Sequence, residues 1–243
     1  MKRIRGMAAC VRAAGVLTIA VLLEVSSVAA RPNWQAGISF AGAVPAGEFK
    51  DEIEDDGFGV CIDGVWSPQQ QPFGIGLSFE YLLYGDQTRR EPLSSTIPDI
   101  QVDVSTTNNI VQTHLFFRVG YRHGGFRPYA DALVGFKYLY TRTSIDDIYD
   151  SGGDEVDIGS TNFDDWAYSY GVRGGTMIRV YDGIARKRGY NVFIDLRAGY
   201  IFGGEADYLK EGSITQTGST VTYDVRRSKT DLFTVHLGAS VDF

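Results

Sequence analysis

Asp231-Leu-Phe-Thr-Val-His-Leu-Gly-Ala-Ser-Val-Asp-Phe243 is the stretch whose reading decides the fold. Its odd positions, Phe233, Val235, Leu237, Ala239, Val241 and Phe243, are apolar throughout. Its even positions from Thr234 onward, Thr234, His236, Gly238, Ser240 and Asp242, are small or polar. A two-residue period is that of a β-strand with two unlike faces. Apolar on one face and polar on the other suits a strand between lipid and the interior of a closed barrel.

The N-terminus reads differently. Lys2, Arg3, Arg5 and Arg12 precede an apolar run from Ala13 to Leu23, and Val28-Ala29-Ala30 offers small residues for cleavage. This is the pattern of a secretory signal peptide over residues 1–30, and the run is short for a membrane-spanning helix. Removing it takes away four basic residues and Glu24, leaving 19 basic against 29 acidic residues. A net charge of −10 argues against nucleic acid as a partner. Cys10 leaves with the signal. Cys61 alone cannot form an internal disulfide or a site built of cysteines, and it reads as a small buried filler.

Beyond residue 30 there is no long apolar run, which excludes a helical membrane protein but not a barrel of short strands. The period predicts strands over 33–44, 57–66, 73–84, 111–121, 127–140, 166–180, 190–202 and 231–243. The apolar phase changes between Val104 and Val111, where a β-bulge is expected. Connections alternate in length: long at 45–56, 85–109, 142–165 and 203–230, short at 67–72, 123–126 and 181–189. Even strand number with short turns at one end and long loops at the other predicts an all-β, eight-stranded antiparallel up-and-down transmembrane barrel over 31–243. A soluble β-sandwich would also use short alternating strands, but it would not place every long loop on one side. Aromatic residues fall in two bands. Trp34, Trp66, Phe73, Tyr121, Tyr129 and Phe243 lie on the turn side; Tyr81, Tyr84, Tyr138, Tyr140, Trp166 and Tyr168 lie on the loop side, as two membrane interfaces favour.

With these residues placed, the chain resembles the small eight-stranded outer-membrane barrels, the group of the OmpA membrane domain and OmpX. Gly42-Ala-Val-Pro-Ala-Gly-Glu-Phe49, Arg127-Pro-Tyr-Ala-Asp-Ala132 and the closing Val241-Asp-Phe243 carry the resemblance. It implies a place in the bacterial outer membrane among lipid and lipopolysaccharide. It also implies that terminal Phe243 is an assembly signal read by the barrel-assembly machinery. No peptidoglycan-binding domain of the kind OmpA carries follows the barrel, so a peptidoglycan tether is not expected.

The positions assigned to the lumen include Asp63, Glu80, Arg118, Asp131, Lys137, Arg173, Asp195, Arg197 and His236. Isolated buried charges are costly, so these are expected to pair, Glu80 with Arg118, and Asp195 and Arg197 beside Arg173. Such a network would plug the barrel; a narrow pore gated by the same pairs is the alternative. A lipid A-modifying enzyme is more distant, because His114 and His236 point inward and His123 lies in a turn. No catalytic residue, cofactor or metal site is expected. The acidic loops lack EF-hand spacing, and Arg186-Lys187-Arg188 reads as a solvated basic turn that could also meet inner-leaflet phosphates. The expected role is structural and interactive: long acidic loops shown at the cell surface to other cells, host molecules, phage or lipopolysaccharide. Val221, Tyr223 and Val225 keep the odd phase of the last strand, which would extend it beyond the bilayer, and arms around 99–105 and 219–229 would offer strand edges for β-augmentation.

Overall fold

Eight strands of unequal length close on themselves. The computed structural model describes residues 34–53, 55–68, 71–94, 97–146, 158–186, 189–217 and 220–243. The signal-peptide reading of residues 1–30 lies outside them. In chain order the elements are β1 (Trp34–Pro45), α1 (Glu48–Glu52), β2 (Gly57–Trp66), β3 (Phe73–Ser94), β4 (Ile97–Gly120), β5 (Phe126–Asp146), β6 (Ile158–Asp182), β7 (Asn191–Gly203), β8 (Glu205–Thr217), β9 (Thr220–Lys229) and β10 (Leu232–Asp242). The barrel order is β1-β10-β7-β6-β5-β4-β3-β2, and every neighbouring pair is antiparallel. The ring closes between first and last strands, where Trp34 and Phe243 exchange backbone hydrogen bonds of 3.1 and 2.9 Å.

The alternation survives as two faces. Phe40, Phe58, Leu77, Phe117, Val134, Val172 and Leu237 are exposed on the outside, while Ser39, Asp63, His114, Asp131, Arg173 and His236 are buried inside. A soluble protein seldom leaves so continuous an apolar surface uncovered. The stripe on β3 from Phe73 to Leu83 spans ten residue steps, about 33 Å along the strand at ~3.3 Å each. With a strand tilt of roughly 40° its height is about 25 Å, the height of a membrane barrel's apolar band. Trp34, Tyr121 and Phe126 are exposed at the turn end. Trp166 and Tyr168 are exposed at the other, where Tyr138 lies 4.6 Å from Trp166 between ring centroids.

Four of the sequence readings need correction. Tyr84 and Tyr129 are not part of the outer aromatic bands; both are buried in the lumen. Their own parity puts them there, since Tyr84 shares a face with Glu80 and Tyr129 shares one with Asp131. The bulge is on β3 rather than β4: Leu83 pairs with Asn109 and Gly85 with Asn108, so Tyr84 is the extra residue. On its other side β4 pairs with β5 without a break from Asp103↔Asp146 to Gly120↔Tyr129. Much of the expected loops 85–109 and 142–165 is strand. β3 to β6 run 22, 24, 21 and 25 residues and rise past the rim as one sheet. Residues 220–229 do not extend the last barrel strand; they form β9, paired with β8 in a separate hairpin.

Close backbone approach fixes two inward glycines. A Cβ on Gly135 would collide with the Thr113 carbonyl oxygen, and one on Gly238 with that of Ile38. Gly135→Ala is therefore expected to cost on the order of 3 kcal/mol or more and to reduce the heat-modifiable folded band on gels after refolding. Gly174→Ala, whose new Cβ would have its nearest neighbour at 4.0 Å, should refold as the parent does.

Candidate functional site

The lumen and its loop-side mouth hold the chemistry of this chain. On the turn-side half, Asp131 of β5 is held from both neighbouring strands. Arg118 of β4 grips it with Nε to Oδ1 at 2.7 Å and Nη2 to Oδ2 at 3.0 Å. Arg173 of β6 donates Nε to Oδ2 at 3.0 Å. The register makes this unavoidable, because Arg118↔Asp131↔Arg173 is one row across three strands. The Arg118 guanidinium also lies 3.8 Å from the Tyr129 ring centroid, a cation–π contact. The Tyr129 hydroxyl then donates to Asp195 at 2.6 Å. Arg197 completes the chain, donating to Asp63 at 2.6 Å, Asp195 at 3.3 Å and Ser39 at 2.9 Å.

All nine positions assigned to the lumen from sequence are buried there. The partners differ from the expected ones. Glu80 does not meet Arg118, because Glu80 lies opposite Gln112 while Arg118 lies opposite Gly74. Six residues of strand, about 20 Å, separate them. Arg173 goes to Asp131 rather than to Asp195, and Arg197 goes to Asp63 and Asp195. Glu80 instead sits beside His236, with Oε2 to Nε2 at 4.0 Å. Lys137 donates to the Thr230 carbonyl. His114 Nε2 and Ser169 Oγ are 2.7 Å apart, both buried, so the pair faces no lipid.

Both ends of the lumen are occupied. At the turn end Arg127 bridges to Asp242 at 2.7 Å across the bore. The void between Gln35, Arg118, Arg127 and Asp242 amounts to about 30 Å³, room for a water or two. The loop end carries a lid that the sequence did not announce. Gly47, at φ 59°, turns the chain into α1, and Phe49 drops its ring into the mouth with no exposed surface. The ring packs edge-on against Tyr208 of β8 at 5.2 Å and against Tyr84 at 5.9 Å. Leu82, Ile110, Leu139, Ala206 and Leu232 complete the apolar cluster. Lys229 fastens the hairpin to α1 through Glu48, its Nζ 3.4 Å from Oε1 and its amide donating to Oε2 at 3.3 Å. These contacts hold the Glu48 carboxyl below the ordinary carboxylate range.

No protein-family model and no curated protein matches the chain. Solved structures do resemble it in architecture. Neisserial surface protein A (NspA) aligns at 14% identity over 86% of this chain and 96% of its own, with a TM-score of 0.35. Ail, the attachment invasion locus protein of Yersinia pestis, aligns at 14% identity over 88% and 100%, with a TM-score of 0.39. The N-terminal β-barrel domain of Pseudomonas aeruginosa OprF aligns at 12% identity over 87% and 98%, with a TM-score of 0.29. The eight-stranded closure itself rests on this chain's own strand pairing.

Ser39 and Ser169 fall on the inner face by sequence, without named partners, whereas Phe49 and Tyr129 are not read there as lumen residues. For Tyr129 the signal was present as strand parity. For Phe49 it was one apolar ring in an otherwise acidic segment. The acidic run 147–157 and residues 187–188 of the basic turn lie outside the described residues.

Two substitutions separate the parts of this site. Asp131→Asn leaves Arg118 and Arg173 without their carboxylate and is expected to cost about 3–5 kcal/mol in urea unfolding from micelles. Phe49→Ala empties the lid and is expected to cost a similar ~3–5 kcal/mol if the cluster cannot collapse. Unlike Asp131→Asn, it should raise proteolysis at the β8–β9 hairpin before global unfolding.

Proposed function

We propose that this chain is an outer-membrane β-barrel that works as a surface-interaction protein, without catalysis. The observation that carries this reading is the one-sided extension of β3 to β6. β2 stops pairing with β3 at Phe58↔Leu83, yet β3 pairs with β4 up to Ser94↔Ile97. Residues 85–94 of β3 therefore form a sheet edge with no further strand beside it among the described residues. An open edge beyond the rim suits recognition by β-augmentation, in which main-chain hydrogen bonds give affinity and alternate side-chain pockets give specificity. In the 99–105 arm β4 pairs with β3 from Gln101 and with β5 from Asp103, so only 99–102 lacks a strand on its β5 side among the described residues. β9 is paired by β8 on one side only, so its other edge also has no strand beside it among the described residues.

The apolar belt would sit among lipid acyl chains, with lipopolysaccharide around the loop-side aromatics. The β1–β10 seam, with Phe243, is where the assembly machinery would act. The Arg118–Asp131–Arg173 row and the Phe49 lid favour a plugged barrel over a pore, since both set buried side chains in the bore. Burial of the His114–Ser169 pair inside the barrel speaks against lipid A chemistry there.

Two measurements test the reading. Shortening the β3–β4 arm, with residues 86–108 replaced by a tight turn, should leave the barrel folded in the membrane fraction. It should reduce attachment of expressing bacteria to host-cell monolayers to that of cells lacking the protein. Undiminished attachment would remove the surface role from this arm. Planar-bilayer recording of the refolded parent should show no large stable channel, and a steady conductance would favour the pore.

A further inference from the structure

Cys61, Glu80 and His236 meet on the inner wall. Cys61 lies directly across from Glu80 in the β2–β3 pairing, and His236 reaches in from β10, on the far side of β1. They can converge because the inward residues of β1 at this height, Ser39 and Ala41, are small. One donor atom from each, the thiol sulfur, a carboxylate oxygen and a ring nitrogen, lies within 4.8 Å of the other two. All three residues are buried.

A second observation is independent of this clustering. Glu80 Oε1 and His236 Nδ1 have no hydrogen-bond partner, although both are shut away from solvent. A buried carboxylate oxygen left unsatisfied is expensive, and most such atoms in native proteins have a partner. Elsewhere in the lumen both carboxylate oxygens of Asp131 and of Asp195 have partners. Orphaned atoms occur elsewhere in the lumen too, on Gln112, Asp63 and Arg197 among others, but only on Glu80 and His236 do they coincide with a cluster that also holds a thiol.

The geometry points to a buried divalent metal site, suited to zinc, with Cys61, Glu80 and His236 as protein ligands and one position left for water. Sulfur, imidazole nitrogen and carboxylate oxygen together form a donor set that zinc accepts and that calcium and magnesium do not favour. Zinc–ligand lengths of roughly 2.0–2.3 Å put tetrahedral donors about 3.3–3.8 Å apart. The present cluster would need to contract by about 1 Å, within reach of side-chain rotation. On binding, the Cys61 thiol gives up its proton, and the thiolate and carboxylate together offset the ion's two charges. Arg197 Nη2, 3.3 Å from Cys61 Sγ, is placed to support the thiolate from outside the ligand set. With the Phe49 lid above and the Arg127–Asp242 bridge below, the ion enters before the barrel closes. It then acts as a structural ion that stabilises the folded state. This proposal needs the barrel fold but not the surface role.

The test uses the tag-free mature chain, chelated while unfolded and refolded in micelles with Co²⁺ or Zn²⁺. The expected result is one Co²⁺ retained per chain through gel filtration, with a thiolate-to-cobalt charge-transfer band. Cys61→Ser should remove that band while keeping the heat-modifiable folded form, and Glu80→Gln and His236→Asn should lower retention. Zn²⁺ should raise the urea midpoint of the parent and not that of Cys61→Ser. If Cys61→Ser does not fold, Cys61→Ala and His236→Asn carry the same comparison. No retained ion, a cobalt spectrum unchanged by Cys61→Ser, or a urea midpoint indifferent to Zn²⁺ would each overturn the proposal.

Discussion

The width of an eight-stranded bore is the constraint from which the rest follows. Side chains on opposite walls touch, so little water is left to solvate a charge. An ionised group in the lumen is costly unless another wall supplies its partner. Asp131 shows the result: one carboxylate held between two guanidiniums delivered at the same height by the strands on either side. Such a row adds little stability over a well-packed apolar core. Removing one member is what is costly, because the others remain buried and charged. The network therefore acts to specify register, since a slip of β5 by one residue would turn Asp131 out toward the apolar belt and leave both arginines without it.

The fold was legible because each strand must satisfy two solvents at once, and a period of two cannot be hidden. The boundaries of β2 and the inward set Asp63, Glu80, Arg118, Asp131, Lys137, Arg173, Asp195, Arg197 and His236 follow from parity alone. Parity says which wall faces inward but not which residues share a height. Glu80 and Arg118 share the inner face on neighbouring strands, yet Arg118 lies six residues along β4 from the residue opposite Glu80. Tyr129 was misplaced for a different reason. Its position near a strand end outweighed its parity, although its hydroxyl has a buried carboxylate to serve.

What lay above the rim was least legible. Once strands leave the apolar belt, nothing in the surroundings enforces alternation, so polar strands look like loops. β3 to β6 continue there because each is paired to its neighbour, not because of composition. The β8–β9 hairpin is a second consequence. β10 begins at Leu232, and the preceding segment folds back over the mouth rather than lengthening the wall.

Phe49 and Tyr208 come from the first and last of the long connections. Their ring contact cannot exist in a half-translated or half-inserted chain, because it requires both ends of the polypeptide to have been threaded to the same side. The lid thus ties the two termini's connections together at one mouth, so a chain lacking either end has no means to close it.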